Sequence, residues 1–179
     1  MTGAIMDLAA FKAQYPEWIA RARPALEQKR WKEAFAGFPG PVNAAAPWTI
    51  PAKPLADCRL ALLSTAGLYV AGEQAAFDAE NPEGDWTFRE LPAGVDGARL
   101  AIAHAHYDHA SARQDLNAVF PLDRLREFAA ERIIGSLAER VFSTSGYCTR
   151  LDLVVEETAP RIVAGLKADG VDAVLHIPV

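Results

Sequence analysis

The chain has 179 residues, of which 51% are hydrophobic and 23% are charged, a balance that is typical of one globular domain and excludes a disordered protein. The net charge is −5 and no basic cluster is present, which argues against a nucleic-acid-binding protein. No stretch approaches the roughly 20 apolar residues of a membrane span, and the N-terminus lacks a signal-peptide core. Two cysteines, Cys58 and Cys148, do not suggest a disulfide framework, so we expect a cytoplasmic protein.

The N-terminal region is predicted to be helical and then extended. Residues 5–36 carry apolar side chains at spacings of three and four, which predicts helix. Pro16 and Pro24 lie within this stretch, and because proline removes a backbone donor and clashes with the preceding turn, we expect two or three short helices. Residues 38–57 contain five prolines and two aromatic residues, which favours an extended connector along the surface.

An α/β domain is expected over residues 58–179, after the N-terminal region of residues 1–57. Four short segments are predicted to be strands, and the first, residues 58–63, is an apolar run typical of a strand buried on both faces of a parallel sheet. Residues 73–92 between the first two segments are predicted to be a long loop. Helices are expected from Pro121 and over residues 154–168. This alternation predicts an open, mostly parallel, Rossmann-like sheet with helices on both faces. The four predicted strands are residues 58–63, 99–104, 139–144 and 171–177.

Three of the four histidines lie within six residues, directly after the second predicted strand. If this segment stays extended, His104, His106 and Asp108 project to one side, because side chains alternate along a strand. Imidazole and carboxylate groups can bind Zn²⁺ or Fe²⁺, or relay protons near neutral pH. Open α/β sheets also place their sites at the carboxyl ends of strands. The candidate catalytic residues and metal ligands here are His104, His106, Asp108 and His109.

Further candidates lie in turns and loops. Cys148 follows a predicted strand and is a candidate catalytic thiol, although free cysteines are commonly buried and inert. The turn from Ser64 to Gly67 either cradles a carboxylate with its backbone N–H groups or is a generic turn. Arg89 either recognises a substrate carboxylate or forms a solvated ion pair. The candidate substrate-binding residues are Ser64, Thr65, Gly67, Arg89, Tyr107 and Asn117.

The histidine string also resembles the HxHxDH motif of metallo-β-lactamase-fold hydrolases, which bind one or two metal ions. That family supplies two further histidines and a bridging aspartate downstream, and the only histidine that follows the motif in this sequence is His176. The motif fits and its surroundings do not. A metal-dependent hydrolase therefore stands as one alternative function, and a non-catalytic small-molecule-binding domain as another.

A series of short segments from about residue 57 onwards is more specific than any single motif. The segments are Leu63-Ser-Thr-Ala-Gly67, Gly84-Asp-Trp-Thr-Phe-Arg-Glu-Leu-Pro92, His106-Tyr-Asp108, Asn117-Ala-Val-Phe-Pro-Leu-Asp-Arg-Leu125, Ile134-Gly-Ser-Leu137 and Gly170-Val-Asp-Ala-Val174. In their order and spacing they resemble the selenoprotein B family of the glycine/sarcosine/betaine and D-proline reductases.

This resemblance implies a subunit of a reductase that cleaves a carbon–nitrogen bond in a small amine or amino acid of the glycine, sarcosine, betaine or proline type. It also implies that electrons come from thiols by way of a selenocysteine or cysteine, which is expected directly after Val179. We expect that an in-frame UGA codon for selenocysteine was read as a stop and that a C-terminal portion is missing. The implied partners are the small substrate, other reductase subunits or a thiol reductant, and a second copy of the chain.

Overall fold

The N-terminal region forms one long helix and one short helix in the computed structural model, which describes residues 7–41 and 49–179. Helix α1 spans Leu8–Glu27, and the Asp7 side chain caps it by accepting a hydrogen bond from the Ala10 N–H at 2.9 Å. Helix α2 follows at Trp31–Ala34. The prediction that prolines divide this region into short helices is wrong for α1, which contains both prolines.

The buried face of α1 explains why the helix stays continuous. Each interior proline costs about 3 kcal/mol. Burial of one uninterrupted apolar face offsets this cost. The residues of this face form a hydrophobic cluster of their own, and Phe38 and Leu151 pack at its edge. The buried residues of this face are Phe11, Tyr15, Trp18, Ala22, Ala25 and Leu26.

The central sheet is built around one buried strand. Strand β1 pairs in parallel with β5, β6 and β7, and β3 pairs antiparallel with β6. The predicted α/β fold with an open, mostly parallel sheet is therefore confirmed, with β3 as an antiparallel addition that the sequence analysis assigned to a loop. The five strands are β1 Arg59–Ser64, β3 Phe88–Pro92, β5 Ser136–Leu137, β6 Arg140–Thr144 and β7 Ala173–Ile177.

A second, two-stranded sheet lies outside the central one. Strand β2, Leu68–Val70, pairs antiparallel with β4, Leu100–Ile102. The prediction that residues 99–104 form a strand of the parallel sheet is therefore wrong. The turn after β1 reverses the chain into β2, and the backbone groups of β4 are satisfied by β2.

The helices that follow were predicted with two exceptions. Helix α4 begins directly after Pro121, and the last helix ends before Gly170, whose φ of +64° suits a helix terminus. The short helices α3 and α5 were not predicted, and the helix predicted over residues 154–168 begins with the π-helical turn Val154–Thr158. The helix bounds are α3 Ala110–Gln114, α4 Leu122–Ala130, α5 Leu151–Leu153 and α6 Ala159–Ala168.

The proline-rich connector is only partly described. Residues 42–48 lie outside the described residues, and Leu55–Asp57 form a single 3₁₀ turn. The connector and the division at residue 57 therefore stay predictions. In the described ranges, no helix is both long enough and apolar enough to cross a membrane.

Candidate active site at the carboxyl edge of the sheet

The carboxyl ends of three parallel strands meet at the turn that follows β1. The Thr65 N–H donates to the Ile177 carbonyl of β7 at 3.1 Å, and the Gly67 N–H donates to the Thr144 carbonyl of β6 at 3.0 Å. The Thr65 hydroxyl accepts a hydrogen bond from the Val179 N–H at 2.8 Å. Thr65 therefore links the turn to the segment that follows β7.

Two other residues of this turn have structural roles. Ser64 is fully buried, and its hydroxyl donates to the Val119 carbonyl at 2.7 Å. Gly67 has a φ of +71°, and a Cβ there would lie 2.5 Å from the Ala103 carbonyl oxygen. These contacts explain why the turn uses serine and glycine, and they leave Thr65 as the residue of the turn that faces open space.

A cleft of about 280 Å³ opens beside Thr65, between the sheet edge and the last helices. Cys148 and His176 share its wall with Thr65, so the cleft holds a thiol, an imidazole and a hydroxyl. Strand β7 brings His176 there, because it pairs with Leu63 next to the end of β1. The lining residues are Leu63, Thr65, Asp85, Trp86, Thr144, Ser145, Gly146, Cys148, Leu151, Val154, Thr158, Ala159, Ile162 and His176.

The Cys148 thiol is protonated near neutral pH. Burial raises the pKa of Cys148 to about 11, and the charge of Asp85 adds to this effect against a backbone hydrogen bond from Arg150. Since the thiolate is the nucleophilic form, Cys148 is not activated for attack in this environment. Its role as a catalytic residue stays a prediction.

The histidine loop is bent, and the extended conformation that the sequence suggested is wrong. The His104 Nδ1 atom accepts a hydrogen bond from the His106 N–H at 3.0 Å. The Asp108 carboxylate accepts one from the Ala110 N–H at 2.9 Å, at the start of α3. Such short-range side-chain bonds to the backbone compete with strand geometry and favour a bend.

The rings of His104 and His106 meet edge to face, with centroids 5.6 Å apart, and all three histidine rings of the loop pack on aromatic neighbours. His106 stacks on Tyr147, with ring centroids 4.1 Å apart and planes at 22°, and also contacts Trp31. His104 and His109 instead flank the Tyr107 ring, at 4.9 and 4.4 Å. The loop is thus packed against aromatic side chains on two sides.

The predicted Zn²⁺ or Fe²⁺ site does not fit this arrangement. Over residues 7–41 and 49–179, no three histidine, cysteine, aspartate or glutamate side chains converge on a point that could hold a metal ion. The Nδ1 atom of His104 and the carboxylate of Asp108 are engaged by backbone N–H groups. The metal-ligand assignment of His104, His106, Asp108 and His109 is therefore not supported.

His104 is neutral near neutral pH. Only 5% of its surface is exposed, and burial, together with the charges of His106 and His109, lowers its pKa to about 4. Because Nδ1 accepts a hydrogen bond, the proton resides on Nε2. That atom is buried and has no hydrogen-bond partner among the described residues.

Arg89 holds its own loop together. Its guanidinium donates to the carbonyls of Ala75 and Ala76 at 2.8 and 3.1 Å and lies 4.1 Å from the centre of the Phe77 ring. The predicted role in recognising a substrate carboxylate stays a prediction, and the structure does not place Arg89 at the cleft.

Asn117 and Tyr107 also make local contacts. The Asn117 amide donates to the Asp115 carboxylate at 2.9 Å and accepts from the Asp123 N–H at 3.2 Å, which supports the start of α4. The Tyr107 hydroxyl donates to the Ala66 carbonyl at 3.3 Å. Neither side chain lines the cleft.

Two of the sequence-predicted site residues, Thr65 and Cys148, therefore line the cleft. The histidine loop contacts the same turn from another direction, through the backbone of Ala103. Three cleft residues with an ionisable or aromatic side chain, His176, Asp85 and Trp86, were not predicted from the sequence. The Gly84–Pro92 segment of the resemblance contains two of them and could have indicated them.

Comparison with known proteins supports the resemblance. The family model described as glycine/sarcosine/betaine reductase selenoprotein B matches residues 21–177. The chain belongs to this selenoprotein B family. Two segments by which the family was recognised, Leu63–Gly67 and Gly84–Pro92, contribute to the cleft wall.

Curated relatives of this family member are longer than the chain. The D-proline reductase subunit gamma of Acetoanaerobium sticklandii is 33% identical over 135 residues, which cover 75% of this chain and 54% of the relative. The glycine reductase complex component B subunit gamma of Carboxydothermus hydrogenoformans is 31% identical over 125 residues, covering 69% and 28%. The betaine reductase complex component B subunit beta of Peptoclostridium acidaminophilum is 26% identical over 172 residues, covering 90% and 39%. The chain thus spans about half or less of their lengths. No solved structure gives a significant match.

Proposed function

We propose that this member of the selenoprotein B family is a subunit of a reductase that cleaves the carbon–nitrogen bond of a small amine or amino acid of the glycine, sarcosine, betaine or proline type. The observation that carries the proposal is the cleft at the carboxyl edge of β1, β6 and β7, lined by Thr65, Cys148 and His176. This edge is where open α/β sheets bind their ligands. The names of the relatives, reductases of D-proline, glycine and betaine, support the substrate class.

We also propose that a selenocysteine or cysteine following Val179, in a longer form of the polypeptide, takes part in the reaction. When present, a selenol or low-pKa thiol supplies the anionic nucleophile and the electrons for the cleavage. The hydrogen bond from the Val179 N–H to the Thr65 hydroxyl supports this proposal. This hydrogen bond holds the Val179 backbone beside Thr65, which lines the cleft. A residue that follows Val179 in the chain would therefore lie at the cleft wall.

The cleft residues of the described chain have separate tasks in this scheme. Thr65 positions the segment after β7 through its hydroxyl. His176 lines the cleft from the exposed side of β7, where its imidazole is placed to donate a proton to the departing amine. Cys148 keeps its proton and therefore adds no negative charge next to the nucleophile.

The test is the amine-releasing activity of the native complex. The complex is purified through an affinity tag on this chain. Dithiothreitol-dependent release of ammonia or amine is measured with glycine, sarcosine and betaine, and opening of the ring to a primary amine is measured with D-proline. We expect cleavage of at least one of them, and a loss of about 100-fold in kcat for His176→Gln, since a general acid contributes on this scale. Glu131→Gln is the matched control, because Glu131 is exposed at the end of α4 and does not line the cleft.

Two outcomes would count against the proposal. Release that is equal in the His176→Gln and Glu131→Gln complexes would remove the cleft from the reaction. A complex that binds these compounds and releases amine from none of them would instead identify a non-catalytic binding domain.

A further inference from the structure

We propose that the cleft binds the positively charged nitrogen of its ligand, with the Asp85 carboxylate as counter-ion and the Trp86 side chain as the adjoining aromatic surface. The inference deepens the proposed function, since it takes the cleft as the amine site and assigns the end of the substrate that enters it. Neither residue was a candidate in the sequence analysis, and both line the cleft.

Asp85 is held in its ionised form by its own loop. Its Oδ2 atom accepts a hydrogen bond from the Asp78 N–H at 2.9 Å, and its Oδ1 atom accepts one from the Thr87 N–H at 2.7 Å and another from the Thr87 hydroxyl. Burial raises the pKa of Asp85, but these hydrogen bonds outweigh burial and leave the pKa below its usual value. A permanent negative charge therefore lies at the cleft wall.

The Asp85 carboxylate keeps capacity for a ligand. A carboxylate oxygen can accept two hydrogen bonds, and the Oδ2 atom receives one from the described residues. A primary or secondary ammonium group can fill the second position with a charge-assisted hydrogen bond. The same charge helps to raise the pKa of Cys148, which lies beside it because the backbone of Gly84 pairs with that of Cys148.

Trp86 provides the second element of a cation site. It is half-buried at the cleft, and its backbone carbonyl accepts a hydrogen bond from the Thr158 hydroxyl, which fixes the segment to the start of the last helix. Indole faces attract cations more strongly than other aromatic rings do, and the attraction does not need an N–H group on the ligand. A quaternary ammonium can therefore bind here as well as a protonated amine.

The remaining lining residues favour this orientation. None of the described residues that line the cleft is lysine or arginine. The charges of Arg89 and Arg150 reach Asp85 and Cys148, but both guanidinium groups lie outside the lining and donate to protein acceptors, the carbonyls of residues 75 and 76 and the carboxylate of residue 152. Hydroxyl groups of Thr65, Thr144 and Ser145 are neutral hydrogen-bonding groups. Electrostatics thus directs the nitrogen inward and the carboxylate of an amino-acid ligand toward the solvent.

The experiment compares isosteric ligands by calorimetric titration of the full chain. Betaine and 3,3-dimethylbutanoate have the same shape and carboxylate, and differ in having nitrogen or carbon at the branched centre. We expect betaine to bind at least about tenfold more tightly and tetramethylammonium to compete with it, as a desolvated cation–π and ion-pair contact implies. Asp85→Asn should lower the betaine affinity by about tenfold and leave 3,3-dimethylbutanoate unchanged, whereas Glu131→Gln should change neither.

Equal or tighter binding of 3,3-dimethylbutanoate by the wild-type chain would overturn the inference, and so would a lack of binding by both ligands. This comparison needs no variant, so it decides the matter even if Asp85→Asn does not fold. Trp86→Leu gives a second test, because it should reduce the affinity for tetramethylammonium severalfold. Cation preference without amine release by the complex would refute the proposed reaction alone, and amine release without cation preference would refute this inference alone.

Discussion

Replacing Gly67 by alanine tests the geometry of the turn that joins the strand ends to the histidine loop. At a φ of +71°, an alanine is strained by about 1 kcal/mol, and its Cβ would lie 2.5 Å from the Ala103 carbonyl oxygen, a backbone atom that cannot rotate away. Such a clash adds about 1–3 kcal/mol. We therefore expect the free energy of unfolding to fall by about 2–4 kcal/mol.

The chain offers a matched control for this prediction. Gly72 has a φ of +79°, and no atom lies within 4 Å of the position that a Cβ would take there, so Gly72→Ala carries the conformational strain without the clash. Since 1 kcal/mol shifts the Tm of a protein of this size by about 2–4 °C, calorimetry should show a fall of about 4–16 °C for Gly67→Ala and about 2–4 °C for Gly72→Ala. Equal shifts would refute the close approach of the turn to Ala103.

Two further predictions concern titratable groups. His104 has a pKa of about 4 in the folded chain and 6.5 as its ordinary value, so it is neutral in both states above pH 6.5. As the pH falls from 6.5 toward 4 the unfolded chain binds the proton first, and urea unfolding should show about 2–3 kcal/mol lost between pH 7.5 and 4.5. His104→Asn, which keeps an acceptor for the His106 N–H, should flatten this dependence, and an unchanged slope would contradict a buried neutral imidazole. Cys148 is tested by its alkylation with iodoacetamide, which mass spectrometry can follow. Because its pKa is about 11, the rate of alkylation should still rise about tenfold per pH unit as the pH approaches 10. A rate that reaches a plateau by pH 9 would contradict this pKa.

The strands that the sequence predicted correctly all contain adjacent apolar residues. Residues 58–63 and 171–177 are mostly apolar, and residues 139–144 contain the buried pair Val141 and Phe142. Such residues have few alternatives to burial in a sheet. Strand β3 was missed because its residues, Phe-Arg-Glu-Leu-Pro, form neither an apolar run nor an alternating pattern, and its pairing with β6 spans about 50 residues of chain. Helix α1 was divided wrongly because the cost of proline is local, whereas the packing that outweighs it depends on the whole buried face.

The residues that the sequence suggested for the site differ from those that the structure brings together. The sequence drew attention to the histidine loop because three imidazoles lie close together in the chain. In the structure, His104 and Asp108 instead accept hydrogen bonds from neighbouring backbone N–H groups. His176 was overlooked because a single histidine in a strand gives no signal. Only the pairing of β7 with β1 brings it to the cleft, and pairing register is a tertiary property.

The most direct measurement is amine formation by the purified complex, with dithiol as reductant and each of the four small substrates in turn. We expect turnover that depends on His176 and is unchanged in Glu131→Gln. Turnover that survives intact without the His176 imidazole would contradict the assignment of the cleft as the place where the carbon–nitrogen bond is broken.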